Sequence, residues 1–135
     1  MRTHHSECPA TTRRTLDFVD ITADVEEALY SSGIKDGHVT VFAREHSCSL
    51  IINENEHGLW RDLRATLERL EKDRPDELRA SIGSASVVLP AVEGHLHLGM
   101  WQRLLLVELE GPETGRLDGT HNKINRSVHV QIVGE

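Results

Sequence analysis

Glu45-His46-Ser47-Cys48-Ser49 sets a thiol two residues from an imidazole, the pair that nucleophilic chemistry with a built-in base requires. Residues two apart share a face in extended chain, so His46 and Cys48 meet only if this segment is extended. The plainer reading is a small buried Cys, which behaves as a hydrophobe. Asn53-Glu54-Asn55 follows an apolar run and precedes an amphipathic one. Amides and acids at that point suit a helix cap, and the same helix start suits an anion. His95-x-His97 puts two imidazoles on one face of a strand, a beginning for a zinc site that needs three or four ligands. His46, His57, His121 or Glu45 are the candidates to complete it, and solvated histidines on an exposed strand are the alternative. Trp101-Gln102 places an aromatic plane beside an amide after Gly99, as a pocket wall or as a core or interface residue.

The elements that position these residues follow from periodicity. Residues 1–14 are polar and aperiodic, which predicts a loose arm ahead of a domain over 15–135. Alternation predicts strands over 15–21, 38–43, 49–52, 85–89, 95–98, 101–109 and 127–133. Thr22 reads as an N-cap and Gly33 as the stop of a helix carrying Val25, Ala28 and Leu29 on one stripe. A second helix carries Leu59, Leu63, Leu67 and Leu70 inward, with Arg61, Asp62, Arg64, Glu68 and Arg69 toward water, and Arg74-Pro75 breaks it. A short helix over 76–82 follows, Pro90 ends the next strand, and 110–126 reads as a long hairpin connection. Strands outnumber helices and the late ones run consecutively. The class is therefore α+β, with a twisted, mainly antiparallel sheet or sandwich and two or three helices. Leu104 to Val107 run without a polar interruption, so both faces of that strand need cover, and a subunit interface is a natural one.

Composition narrows the function classes. The chain has 135 residues, 38% hydrophobic and 27% charged, the balance of one globular domain. Its net charge of −7 argues against a nucleic-acid partner, which wants clustered cations. No apolar run reaches membrane-spanning length and the opening residues lack the apolar core of a secretory signal. Two cysteines make no disulfide framework, so a reduced cytoplasmic setting is expected. Nine histidines could carry the charge from −7 to +2 if all were protonated, placing the poorest solubility on the acid side of neutral.

From about Asp17 onward the chain resembles the YjbQ family, whose members are labelled secondary thiamine-phosphate synthases. The resemblance rests on Ser47-Cys48-Ser49-Leu50-Ile51-Ile52-Asn53-Glu54-Asn55, on Leu98-Gly99-Met100-Trp101-Gln102, on the spacing from Ser81-Ile82-Gly83-Ser84-Ala85-Ser86 to Pro90, and on the terminal Gly134-Glu135. It implies a compact sandwich-like α+β fold and a homotrimer with sites in clefts between subunits. Three family histidines are replaced: one falls on Glu45, one on Glu77, and one lies in a segment missing between Lys72 and Pro75.

The resemblance then implies two alternatives. One is a ligand- or metal-binding homotrimer of weak or no thiamine-phosphate synthase activity. The other is an active, divalent-metal-dependent transferase acting on a phosphorylated small molecule. In either, His46 and Glu54 are the candidate catalytic groups, and Ser47, Asn53, Asn55, Trp101 and Gln102 the ligand-binding ones. Glu45, His46, Glu77, His95 and His97 are the candidate metal ligands. Carboxylates in place of imidazoles favour Mg²⁺ or Mn²⁺ over Zn²⁺.

Overall fold

The computed structural model describes residues 1–73, 82–110 and 123–135. In chain order the elements are β1 (Arg2–Thr12), β2 (Asp17–Asp20), α1 (Thr22–Ser32), β3 (Gly37–Phe42), β4 (Cys48–Asn53), α2 (His57–Asp73), β5 (Ser86–Val92), β6 (His95–Leu96), β7 (Arg103–Glu108) and β8 (Ile124–Gly134). They form a five-stranded sheet, β1-β8-β3-β5-β6, and a three-stranded sheet, β2-β7-β4. All pairings between these strands are antiparallel. The α+β class and the two-sheet antiparallel architecture are those expected. No helix among the described residues is long and apolar enough to cross a membrane.

Two apolar layers hold the sheets. The larger joins Val39, Val41, Val128, Val130 and Ile132 of the large sheet to Leu50, Leu104 and Leu106 of the small one, with Ile21, Val25 and Leu29 at α1. On the other side of the small sheet, Phe18, Val107 and Leu109 meet Trp60, Leu63 and Leu67 of α2. Leu104, Leu105, Leu106 and Val107 are all fully buried. The chain therefore covers both faces of β7 itself, and that burial needs no subunit interface.

Several local expectations change once tertiary contacts compete. Residues 2–12 are not a loose arm: β1 pairs with β8 along its whole length, Arg2 opposite Gly134 through Thr12 opposite Ile124. The segment alternates, with Cys8, Ala10 and Thr12 inward, but the inward residues are too small and polar to give an apolar signal. Thr22 is not the N-cap but the first helical residue after Ile21. Its hydroxyl accepts the Leu104 N–H at 2.8 Å and donates to Asp20 at 2.7 Å. α2 is capped by Glu56 rather than an Asn, its carboxylate accepting the Gly58 and Leu59 N–H groups at 2.7 Å each.

Pro90 lies inside β5. It faces the short edge strand, where its carbonyl accepts the His97 N–H at 2.9 Å and only one reciprocal bond is forgone. Glu93 and Gly94 both have positive φ, 51° and 86°, as a two-residue hairpin turn between β5 and β6 requires. The connection after β7 is not a hairpin, because β7 and β8 belong to different sheets. The short helix expected over 76–82 lies mostly outside the described residues.

Deleting residues 2–12 should abolish cooperative unfolding, since it bares one edge of β8 and the Val128–Ile132 core. Urea denaturation followed by circular dichroism tests this; an unchanged midpoint and slope would restore the loose-arm reading.

Candidate functional site

The register of β4 against β7 separates the conspicuous residues into two groups. Cys48 faces Glu108 at one end and Asn53 faces Arg103 at the other, five residues or about 17 Å apart.

At the first end, a carboxylate is buried inside an apolar strand. Glu108 has no exposed surface. It accepts hydrogen bonds from the Thr12 hydroxyl at 2.7 Å and from Arg126 Nε at 2.7 Å. Arg126 also pairs with Glu45 through its other arm. Burial pushes the Glu108 carboxyl up, but the Arg126 and Thr12 bonds outweigh it and leave it below its ordinary value. Cys48 sits 3.9 Å from the same carboxylate. Burial first, and then the Glu108 charge against the opposing pull of Arg126, raise its thiol to about 11. The neighbour of Cys48 is thus an anion rather than His46, which suppresses the thiolate a nucleophile needs.

The predicted metal set does not converge. Glu45 is committed to Arg126. His46 is 80% exposed and lies 3.7 Å from Glu110. His95 lies 3.9 Å from Glu26, across the molecule at the β6 edge, and His97 is exposed beyond it. Glu77 lies outside the described residues. Among the described residues no three His, Cys, Asp or Glu side chains gather as a metal site. Ser47 is buried, its carbonyl accepting the Leu109 N–H, so it belongs to the core rather than to a ligand surface.

At the other end the two sequence blocks do come together. Asp20 accepts from Asn55 Nδ2 and from Arg103 Nε, each at 2.8 Å, and from Thr22. Burial raises the Asp20 carboxyl, and these bonds together bring it below its usual range. Gln102 Oε1 accepts the Gly99 N–H at 2.8 Å, while the Gln102 N–H returns to the Gly99 carbonyl at 3.1 Å. That reciprocal pair closes a turn that projects Met100 and Trp101 into solvent. A cleft of about 430 Å³ beside it is lined by Thr22, Glu26, Leu98, Gln102 and Arg103 among others. Asn53 Oδ1 accepts the Glu54 N–H, and the Glu54 carbonyl accepts the Trp60 indole at 3.3 Å, leaving the Glu54 side chain exposed.

That indole leads into a site the sequence reading missed. Arg14, Arg61, Arg64, His57 and Trp60 line a cavity of about 460 Å³ with Asp17 and Glu56. Arg64 was expected to face water. Instead its Nε donates to the Leu16 carbonyl at 3.0 Å and its guanidinium lies over the Phe18 ring, 5.6 Å from the centroid. Burial, and then the like charge of Arg14, hold the Arg64 guanidinium below its usual value. Glu56 is spent on the α2 cap, and Asp17 stands 3.9 Å from Arg14. Three guanidiniums against two carboxylates leave a local positive balance in a chain of net charge −7. The signal in the sequence was Arg61 and Arg64, three apart on α2 and so on one face.

Comparison with known proteins gives one consistent result. The family model described as UPF0047 protein YjbQ-like matches residues 6–135. A UPF0047 protein of Methanothermobacter thermautotrophicus is 33% identical, matched over 100% of this chain and 95% of its own. One from Archaeoglobus fulgidus is 36% identical over 78% of this chain and 91% of its own. Among solved structures, a YbjQ-like protein of unknown function from Sulfolobus solfataricus superposes with a TM-score of 0.82 at 30% identity, covering 99% of each chain.

Glu108→Gln should cost about 1–3 kcal/mol, because the half-buried Arg126 exchanges a charge-assisted bond for one to a neutral amide while Glu45 still neutralises its charge. Since the folded Glu108 carboxyl titrates below its unfolded value, its contribution is present above the unfolded pKa of about 4.3 and lost as pH falls through the folded one. Urea midpoints between pH 7 and pH 2 should therefore fall more steeply for the wild type than for the variant. Parallel profiles would contradict this.

Proposed function

Because this chain belongs to the UPF0047 YjbQ-like family, we propose that it binds a small phosphorylated molecule as a homotrimer, with weak or no thiamine-phosphate synthase activity. One observation carries the ligand class: the cavity lined by Arg14, Arg61 and Arg64. Guanidiniums recognise phosphate oxygens through paired donors, and a phosphate would relieve the mutual repulsion of Arg14 and Arg64. Trp60 and His57, in tilted contact with ring centroids 5.9 Å apart, add a single aromatic wall against which a heterocycle attached to the phosphate would lie. The commitment of Glu45 to Arg126, and its separation from His95 and His97, favour binding over divalent-metal transfer chemistry.

Titration calorimetry with inorganic pyrophosphate and with thiamine phosphate tests this reading. Binding should weaken with added salt, and Arg64→Ala should reduce affinity about tenfold or more, the value of a charge-assisted bond of about 1.5–3 kcal/mol. Equal affinity in wild type and Arg64→Ala, or no binding of either probe, would overturn it.

The trimer reading draws support from the Gly99–Gln102 turn. Met100 and Trp101 are 87% and 71% exposed beside the open cleft at Arg103, apolar surface that a neighbouring subunit would cover. Light scattering at micromolar concentration should give three times the chain mass, and Trp101→Glu should dissociate the assembly. A wild-type monomer would rule it out.

A further inference from the structure

His5 and His129 lie on the outer face of the five-stranded sheet, independent of the arginine cavity, which lies against the small sheet. Glu7 is directly opposite His129 across the β1–β8 ladder, and His5 stands one inward-outward repeat further along β1. The imidazoles stack with centroids 5.4 Å apart and planes inclined by 26°. His129 Nδ1 is 3.3 Å from His5 Nε2, a hydrogen bond between the two rings that a shared metal ion would replace. Two nitrogens held about 2.0–2.1 Å from one tetrahedral metal are separated by about 3.3–3.4 Å, so the spacing equals that of two ligands on one ion.

The opposite edge of the His129 ring carries an orienting group. His129 Nε2 is buried with no hydrogen-bond partner, and the nearest anion is Glu7 Oε1 at 3.6 Å. The same Glu7 oxygen accepts the Ser127 hydroxyl at 2.8 Å, which fixes the carboxylate. A carboxylate facing Nε2 favours the proton there and leaves the Nδ1 lone pair directed at His5. At 3.6 Å the carboxylate acts on the tautomer by charge alone, and closing by a few tenths of an ångström would give the outer-carboxylate bond of a metal-binding histidine.

We propose that His5 and His129 form a cross-strand two-imidazole site for a borderline divalent cation such as Zn²⁺, Ni²⁺ or Cu²⁺, with Glu7 orienting His129. Imidazole ligands suit these ions over Mg²⁺ or Ca²⁺, and water would fill the remaining positions. A bound ion would tie β1 to β8, so occupancy of the folded state would add stability by linkage.

The test titrates metal-free full-length protein with ZnCl₂ and, separately, NiCl₂ by calorimetry, with thermal unfolding recorded at each concentration. One ion per chain should bind, and the unfolding temperature should rise with metal. His5→Ala, at an exposed position that folding does not need, should lose at least tenfold in affinity and the thermal shift with it. Glu7→Gln should weaken binding tenfold or more while retaining both ligands. Metal affinity unchanged in His5→Ala would place any binding elsewhere and overturn the proposal, as would the absence of binding in the wild type. Should His129→Ala fail to fold, the His5 and Glu7 variants decide alone.

Discussion

Glu108 sits at the end of β7 with its carboxylate sealed from water, between Thr12 of β1, Arg126 of β8 and Cys48 of β4. Those partners come from both sheets, so the arrangement fixes how one sheet lies on the other at that edge. Removing a charge from water costs several kcal/mol per ion unless each lone pair and proton finds a partner. The sandwich supplies those partners only when β1 completes its pairing with β8. The strand that the sequence makes look like an arm is therefore required to house a carboxylate almost 100 residues away.

The same arrangement bears on chemistry. Arg126 reaches both Glu108 and Glu45, so a carboxylate at position 45 is neutralised within the protein rather than offered to a cation. Cys48 is held protonated by the burial and charge around it. That end of β4 is thereby held by bonds within the protein. Cationic charge gathers instead at the start of α2, where Arg61 and Arg64 line one cavity with Arg14 and where Arg64 lies over the Phe18 ring.

Much of the fold was legible in local pattern. The leucine stripe of α2, the Gly33 stop and the apolar run of β7 require their elements whatever surrounds them, and the antiparallel class followed. Residues whose role is set by a distant partner were not legible. Thr22 exchanges a capping role for bonds to Leu104 and Asp20; Arg64 leaves the solvent for Phe18 and the Leu16 carbonyl. Of the candidate site, Asn53 lies opposite Arg103 and Asn55 shares Asp20 with it, while Gln102 spends its Oε1 on the Gly99 turn. Glu108, lone among Leu104–Leu109, is passed over by a reading for apolar pattern, because its partner Arg126 arrives only with the pairing of β8.

Phosphate recognition, as proposed above, falls to the cavity lined by Arg14, Arg61 and Arg64. A crystal structure of the protein grown with thiamine phosphate tests it most directly. Phosphate density should lie within hydrogen-bonding distance of the Arg61 and Arg64 guanidiniums, with the heterocycle against Trp60. Density for the phosphate at Asp20–Arg103 or beside Glu45, with the arginine cavity empty, would contradict it.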